Sequence, residues 1–381
     1  MKTRLVLCIA VMTALALGGC KKKNKDGDAD GGAASGGDSV KTEFELKQNP
    51  QVMEHLKKIS EGCTVTIESA SVYSCKNKED SALSDFIRQT RPKDLFETYA
   101  SLLTSSDAKM RAVAIAEANY TFSALDKDLR KANATKPVAT AFLDALAKDD
   151  GSAARIAPPA VDLGFIAGMK DRVIKVTDGI NTNARNAAYR TFMEYGRLDA
   201  FPKIQEVAKQ KDFALAALAA PRNMYDWTEA EKAQICPWAK GYLADATNAN
   251  AAEAAYTVIK CKGEYIDALQ DEGDKRLKNK QFENPFAMTF REICFEFIGG
   301  ISGQAGKNPQ CARNYAFLEK VANDESVKPD VRGMSLWNIY YQKRDKDTLA
   351  LMRKYEKHKV PEISKRAKEA IESLTTTYKL K

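Results

Sequence analysis

Histidine is almost missing from this chain: its 381 residues include two, His55 and His358. Neither stands in an HExxH pair or a nucleophile-elbow setting, and no CxxC pair occurs. The sequence therefore offers no zinc site of ordinary ligand spacing and no Ser-His-Asp arrangement, and it implies no metal and no cofactor. Long apolar runs are missing too. The stretch at 5–17 is about 13 residues long against the roughly 20 needed to span a hydrocarbon core, and Lys21, Lys22 and Lys23 follow it closely. Strand-type alternation is scarce, with Thr64-Val65-Thr66-Ile67 the clearest instance. Charge of one sign is not blocked through the helical region: segments such as Asp345-Lys346-Asp347 interleave both signs and read as solvated helix faces. The formal net charge is +8, and Lys2 and Arg4 account for two of it, so the remainder is mildly basic and nucleic acid is not an expected partner.

What is present begins with residues 1–19, a basic start, an apolar run and then small residues, the parts of a secretory signal. Leu17-Gly18-Gly19-Cys20 closes that run and resembles the lipobox of bacterial lipoproteins. The resemblance implies a diacylglycerol on the Cys20 sulfur, cleavage just before it, and acylation of the new amino terminus. Membrane attachment would then run through the N-terminal lipid, since durable anchoring needs two or more chains. The alternative is an ordinary signal peptide that contains a cysteine. Lys21 stands where many inner-membrane-retained lipoproteins have Asp, which by resemblance to enteric sorting favours the outer membrane, facing the periplasm or the cell surface. Lys21–Lys23 also suit anionic headgroups.

Residues 20–46 follow as a lipidated cysteine and tether, rich in Lys, Asp, Gly, Ala and Ser up to about Val40 and too poor in apolar residues to fold. About 20 flexible residues span roughly 25 Å.

Six further cysteines, Cys63, Cys75, Cys236, Cys261, Cys294 and Cys311, suit disulfides in an exported chain. Fifteen full pairings are open to six cysteines. Sequential pairing is favoured: Cys63 and Cys75 flank the alternating segment, Cys236 and Cys261 occupy opposite ends of successive predicted helices, and Cys294 and Cys311 straddle a glycine-rich connection. The alternative leaves some as buried thiols, Cys294 foremost.

Residues 47–90 read as a small N-terminal cap, with helices near 51–60 and 81–90 around the Cys63 to Cys75 element. From 91 to 381 the chain repeats one plan of helix, short break, helix and longer break, in pairs at about 92–122, 137–168, 170–196, 199–220, 228–261, 262–298, 309–342 and 345–375. Thr228-Glu229-Ala230-Glu231 has the capping-box pattern that marks a helix start, and Pro329 and Pro361 suit a first helical turn. Ala184, Ala188, Thr191, Phe192 and Tyr195 share an i, i+4, i+7, i+8, i+11 stripe with Ile363, Ala367, Ala370, Ile371 and Leu374.

The second helix of several pairs resembles that of HEAT-type repeats, whose pattern is a small or acidic approach, an aliphatic residue followed by Arg, and Ala three residues later. Asp107, Met110-Arg111 and Ala114 match it, and Ala184-Arg185 with Ala188 matches partly. Val331-Arg332 is followed by Ser335, Ile363 and Ala367 keep the packing residues around Ser364, and Ala154-Arg155 is followed by Pro158. No equivalent stands between about 200 and 325. The resemblance implies an all-α, α-α superhelix, a right-handed HEAT-like solenoid with a protein-binding surface. Tetratricopeptide repeats would need a regular tryptophan interval that Trp227, Trp238 and Trp337 do not keep.

Other candidate motifs have plainer readings. Gly299–Lys307 resembles a phosphate loop but has Ile301 where the first glycine belongs and Asn308 after the lysine. Asp149-Asp150 and Asp271-Glu272 fall at predicted helix ends. Tyr225-Asp226-Trp227 and Trp337–Tyr341 read as core aromatics, or as binding anchors if exposed together.

The expected function is a lipid-anchored protein of the bacterial envelope that binds a protein partner through its solenoid surface, with no catalysis of its own. The alternatives are a cell-wall polysaccharide-binding protein or hydrolase, and a structural spacer.

Overall fold

Helix starts in this chain are written by side chains that accept from otherwise unpaired backbone N–H groups. Asn49, Asp107, Asp126, Asn181, Thr228, Asn308 and Asp345 each do so, and Pro309, Pro329 and Pro361 open helices where no N–H is needed. A computed structural model describes residues 46–66, 73–76, 78–294 and 308–380. Cys20, the leader, most of the tether and the Gly299–Lys307 segment lie outside the described residues.

The cap consists of α1 (Pro50–Gly62), β1 (Cys63–Val65), β2 (Tyr73–Cys75) and α2 (Glu79–Thr90). β1 and β2 pair antiparallel with Cys63 opposite Cys75, and a disulfide joins them at a Cα separation of 4.4 Å. The array follows as α3 (Leu95–Leu102), α4 (Ala108–Ala124), α5 (Lys127–Asn133), α6 (Lys136–Ala147), α7 (Ala153–Ile166), α8 (Lys170–Gly179) and α9 (Thr182–Val207). Then come α10 (Ala214–Ala219), a 3-10 turn η1 (Ala220–Asn223), α11 (Glu229–Gly241), α12 (Asn248–Cys261), α13 (Glu264–Lys278) and α14 (Phe286–Thr289). The last four are α15 (Pro309–Asn323), α16 (Pro329–Gln342), α17 (Lys346–Tyr355) and α18 (Pro361–Thr376). This is an all-α helical-repeat fold with a small disulfide-bonded N-terminal cap.

The second helices pack in succession, α4 on α7, α7 on α9, then through η1 to α12, α14, α16 and α18. The first helices form the other layer, in which α3 meets α6, α6 meets α8, α11 meets α13 and α13 meets α15. The cap shares the array's core: Val52, Leu56, Ile59, Leu83 and Ile87 belong to one apolar cluster with Leu95, Phe96 and Val113. That cluster continues to Ile235, a second runs from Leu218 to Leu374, and Trp238 and Tyr242 pack against both.

The arginines of the aliphatic-Arg pairs have one shared task. Arg111 of α4 donates to the Ser105 carbonyl just beyond α3, and Arg185 of α9 donates to the Thr177 carbonyl of α8 at 3.2 Å and to that of Asp178. Arg332 of α16 donates to the Ala322 carbonyl of α15 at 2.9 Å. Each reaches back to the carbonyl-rich end of the preceding helix, where acceptors lack intrahelical partners and a cation is favourable. In the last pair Ser364 stands in place of arginine, and its hydroxyl still donates to the Glu356 carbonyl at 2.6 Å. Between 200 and 325 the task passes to Arg276 of α13, buried at 5% exposure, which reaches the Leu243 and Asp245 carbonyls at 2.9 and 2.7 Å.

The array departs from the expected pairing in two places. α5 is an additional short helix between the first two pairs. The break expected near 197 is present: Arg197, at φ 47° and ψ −136°, interrupts α9 and parts it into two helices. Pro202 accounts for it, since it cannot donate to the carbonyl four residues back and its ring crowds that turn. Arg197 is held in place by donating to both Glu231 oxygens at 2.6 and 2.8 Å and to the Tyr225 and Asp226 carbonyls at 2.9 and 3.0 Å. Of the expected second helix of 262–298, the described part is helical over α14 and turns over 290–294, and 295–298 lie outside the described residues. There the buried amides of Asn314 and Gln342 donate to the Phe290 carbonyl, and Gln342 accepts from the Cys294 N–H, so side chains satisfy backbone that a longer helix would have paired.

Candidate binding face

Cys236 is joined to Cys261 across α11 and α12, and Cys294 to Cys311 across the segment before α15, with Cα separations of 5.9 and 5.6 Å. These cysteines therefore link neighbouring helices, and Cys294 and Cys311 are both fully buried. The carboxylate pairs also serve the scaffold: Asp149 accepts from the Asn181 N–H at 3.0 Å, Asp150 from the Ser152 N–H at 2.8 Å, Asp271 from Arg313 at 2.6 Å and Glu272 from Arg276 at 3.0 Å. His55 rests against the Phe86 ring at 5.5 Å, and Nδ1 of His358 accepts from the Val360 N–H at 3.1 Å. Of the aromatic concentrations, Tyr225 is 75% exposed whereas Trp227 donates to the Met224 carbonyl at 3.1 Å and packs on the core.

A cleft of about 640 Å3 lies where the cap meets the first two pairs. Tyr73 of β2, Asp80 of α2, Glu117 and Tyr120 of α4 and Arg155 of α7 line it. Tyr73 and Glu117 are hydrogen-bonded, the phenol donating to the carboxylate. Burial raises the Glu117 carboxyl above its ordinary range and Asp80 adds to the rise, while the Tyr73 hydrogen bond opposes it. The phenol is pushed up as well, by burial and then by the Glu117 charge. A smaller cavity of about 230 Å3 shares Ser84 and Tyr120 with this cleft, and one of about 270 Å3 shares Arg155. The three form a trough along α4, with Tyr120 standing in it at 67% exposure.

Further along the second-helix layer, Arg130 pairs with Glu194 at 3.1 Å and lies over the Phe122 and Tyr195 rings at 5.4 and 5.5 Å. Asp162 is buried beside them. Burial, then repulsion by Glu194, lifts its carboxyl well above the usual value against the pull of Arg130. Beyond α9, guanidiniums stacked on phenol rings recur along the face. Arg222 lies over the Tyr256 ring at 4.0 Å, Arg291 over Tyr341 at 4.9 Å, and Arg344 over Tyr341 and Tyr378 at 5.4 and 5.0 Å. The face thus starts with buried carboxylates and continues as stacked guanidinium and phenol groups.

Of these residues, sequence reading singled out Tyr341, within Trp337–Tyr341, Arg155 and the stripe residue Tyr195, but none of their partners. Glu117 is one acid among the alanines of α4, and that isolation is the only local signal. The stacked pairs join residues of η1, α12 and α16 to Arg291, Arg344 and Tyr378 outside the helices, each ordinary in its own surroundings. No helix among the described residues is long and apolar enough to cross a membrane, and no group of three or more potential metal ligands occurs among them. In comparison with known proteins, no family model matches this chain and no curated protein matches it.

Proposed function

We propose that this chain is a lipid-anchored protein of the bacterial envelope that binds a protein partner through the face of its second-helix layer. The observation that carries the reading is that face itself: one unbroken succession of packed helices bearing partly exposed Tyr120, Arg155, Arg222, Tyr256, Tyr341 and Arg344. Aromatic and arginine side chains dominate binding hot spots because they join large apolar area to directional donors, and a stacked helical array presents many of them at once. The lipobox resemblance at Leu17–Cys20 supports the anchor, and the polar stretch to about Val40 supports a tether of roughly 25 Å.

Crosslinking in cells followed by mass spectrometry tests the partner, with a lipidated control of unrelated sequence. Recovery of no protein above that control refutes the scaffold. Replacing Cys20 with Ser tests the anchor. The variant is expected in the soluble fraction, and unchanged membrane association refutes it.

A second reading, a protein that binds or cleaves cell-wall polysaccharide, draws on the cleft. A carboxyl raised by burial beside a second carboxylate is the setting of a general acid, which Glu117 and Asp80 supply. Release of soluble fragments from purified cell wall, lost in Glu117→Gln, is the result that would favour it.

A further inference from the structure

The stacked arginines and tyrosines at the C-terminal half of the face form a connected row. Arg222 of η1 covers Tyr256 of α12. Arg291 and Glu292 lie within electrostatic reach of that phenol. Arg291 then covers one side of the neighbourhood of Tyr341 in α16, and Arg344 approaches the same ring and also Tyr378, to whose hydroxyl it donates at 2.5 Å. Two guanidiniums thus share the Tyr341 ring.

The row carries surplus positive charge. Glu253 approaches Arg222 at 3.8 Å and Glu292 pairs with Arg291 at 2.7 Å. Arg344 has no carboxylate partner among the described residues. Its Nη1 donates to the Tyr378 hydroxyl and its Nε is buried without a partner among the described residues, so the rings around it hold the guanidinium by their quadrupole while Nη2 is the donor left to an anion. The half-exposed Arg291 and exposed Arg222 flank it along the layer.

We propose that this row binds an extended acidic segment of the partner protein, with carboxylates seated on Arg291 and Arg344 and the backbone crossing the Tyr341 ring. The inference rests on the scaffold reading and names the chemistry of its partner. Spacing favours a polypeptide: both guanidiniums lie near one ring, so they are no more than about 10 Å apart, while carboxylates on one side of an extended chain recur at roughly 7 Å and their side chains reach further. Successive helices of a layer stand about 8–10 Å apart, so the same segment meets Arg222 a few residues further on. Glu292 holds the Nε and Nη2 edge of Arg291, so the incoming carboxylates meet Nη1 of Arg291 and Nη2 of Arg344, one donor each.

The test uses the purified soluble chain and a fluorescent peptide of alternating Glu and Ser, with its Gln-Ser counterpart as control, followed by anisotropy. The expected result is binding of the Glu-Ser peptide alone, weakened at least tenfold in the Arg291→Gln, Arg344→Gln double variant and weakened less in Arg344→Lys. Circular dichroism melting shows that each variant is folded. Tyr341→Ala, which keeps every charge, is expected to weaken binding several-fold. Equal affinity of wild type and double variant for the peptide overturns the proposal. So does loss, in the double variant, of binding to a phosphorylated mannan but not to the peptide, which assigns the row to an anionic glycan. Crosslinked partners recovered equally from wild type and the double variant would remove this site while leaving the scaffold standing; peptide binding with no crosslinked partner would do the reverse.

Discussion

Replacing Arg276 with Met should be among the most damaging single changes in the array. Its guanidinium donates to the Leu243 and Asp245 carbonyls at 2.9 and 2.7 Å, to Asn248 at 2.7 Å and to Glu272 at 3.0 Å, and lies 4.5 Å from the Phe286 ring centre. Methionine keeps the packing of the stem but leaves two carbonyls and an amide oxygen without this donor, and the largely buried Glu272 with Lys275 alone at 3.4 Å. Hydrogen bonds to a charged group are worth about 1.5–3 kcal/mol each and do not add in full. Breaking one side of a buried pair costs about 3–5 kcal/mol, and that is the expected loss here. At about 2 °C per kcal/mol for a chain of this size, the melting temperature falls by roughly 6–10 °C. Urea denaturation followed by far-ultraviolet circular dichroism, with calorimetry for the melting temperature, measures both. Arg313→Met is the control: Arg313 bonds Asp271 and Asp274, but its side chain is 38% exposed, so its loss is expected to cost under about 1 kcal/mol. If Arg276→Met costs no more than Arg313→Met, the bracing role assigned to the buried arginines is wrong.

Three further outcomes are expected. Asp162 has a native carboxyl raised by burial and by Glu194, whereas the unfolded chain ionises near about 3.9. The native state therefore holds a proton that the unfolded state has lost, and stability rises as pH falls through the native value, levelling off below the unfolded one. The urea midpoint should be higher at pH 5 than at pH 7, and Asp162→Asn should raise it at pH 7 while flattening the slope; an unchanged slope in the variant would count against this. Gly333→Ala places a methyl 2.9 Å from the Glu362 carbonyl oxygen, so it should destabilise by about 1–3 kcal/mol. An open helical site would instead gain from alanine, and a gain measured by urea midpoint would disprove the close approach of α16 to α18. Changing Cys236 and Cys261 together to Ser should lower stability by about 3 kcal/mol through the loop that the disulfide closes, which reducing agent added to the wild type should reproduce in part.

Most helix boundaries were legible because the signals are local. Thr228 and Glu231 form the expected reciprocal cap at 2.7 and 3.3 Å, and Pro329 and Pro361 stand first in α16 and α18. The stripe residues Ala184, Ala188, Phe192, Ile363, Ala367, Ala370 and Leu374 are all fully buried. The misread stretch is one whose backbone depends on distant partners: the segment after α14 rests on amides from α15 and α16. The break at 197 was legible, but the bonds that hold Arg197, to Glu231 and to the chain at 225–226, join distant positions. No window of sequence contains both halves of either arrangement. The binding face was legible only at Trp337–Tyr341, for the same reason: Tyr73 meets Glu117 across 44 positions, and the arginine and tyrosine row draws on η1, α12, α16 and residues between and beyond the helices.

The braces between helices have a bearing on how such an array can change. In each, the donor is a side chain but the acceptor is a backbone carbonyl, at Ser105, Thr177, Leu243, Ala322 or Glu356. A carbonyl is supplied by every residue type, so no substitution at those five positions removes it. The connecting loops are thereby released from coding for the junctions they make, and even the donor tolerates replacement, as arginine and serine show at equivalent places. An array built on these terms can drift far in sequence while every joint keeps its angle.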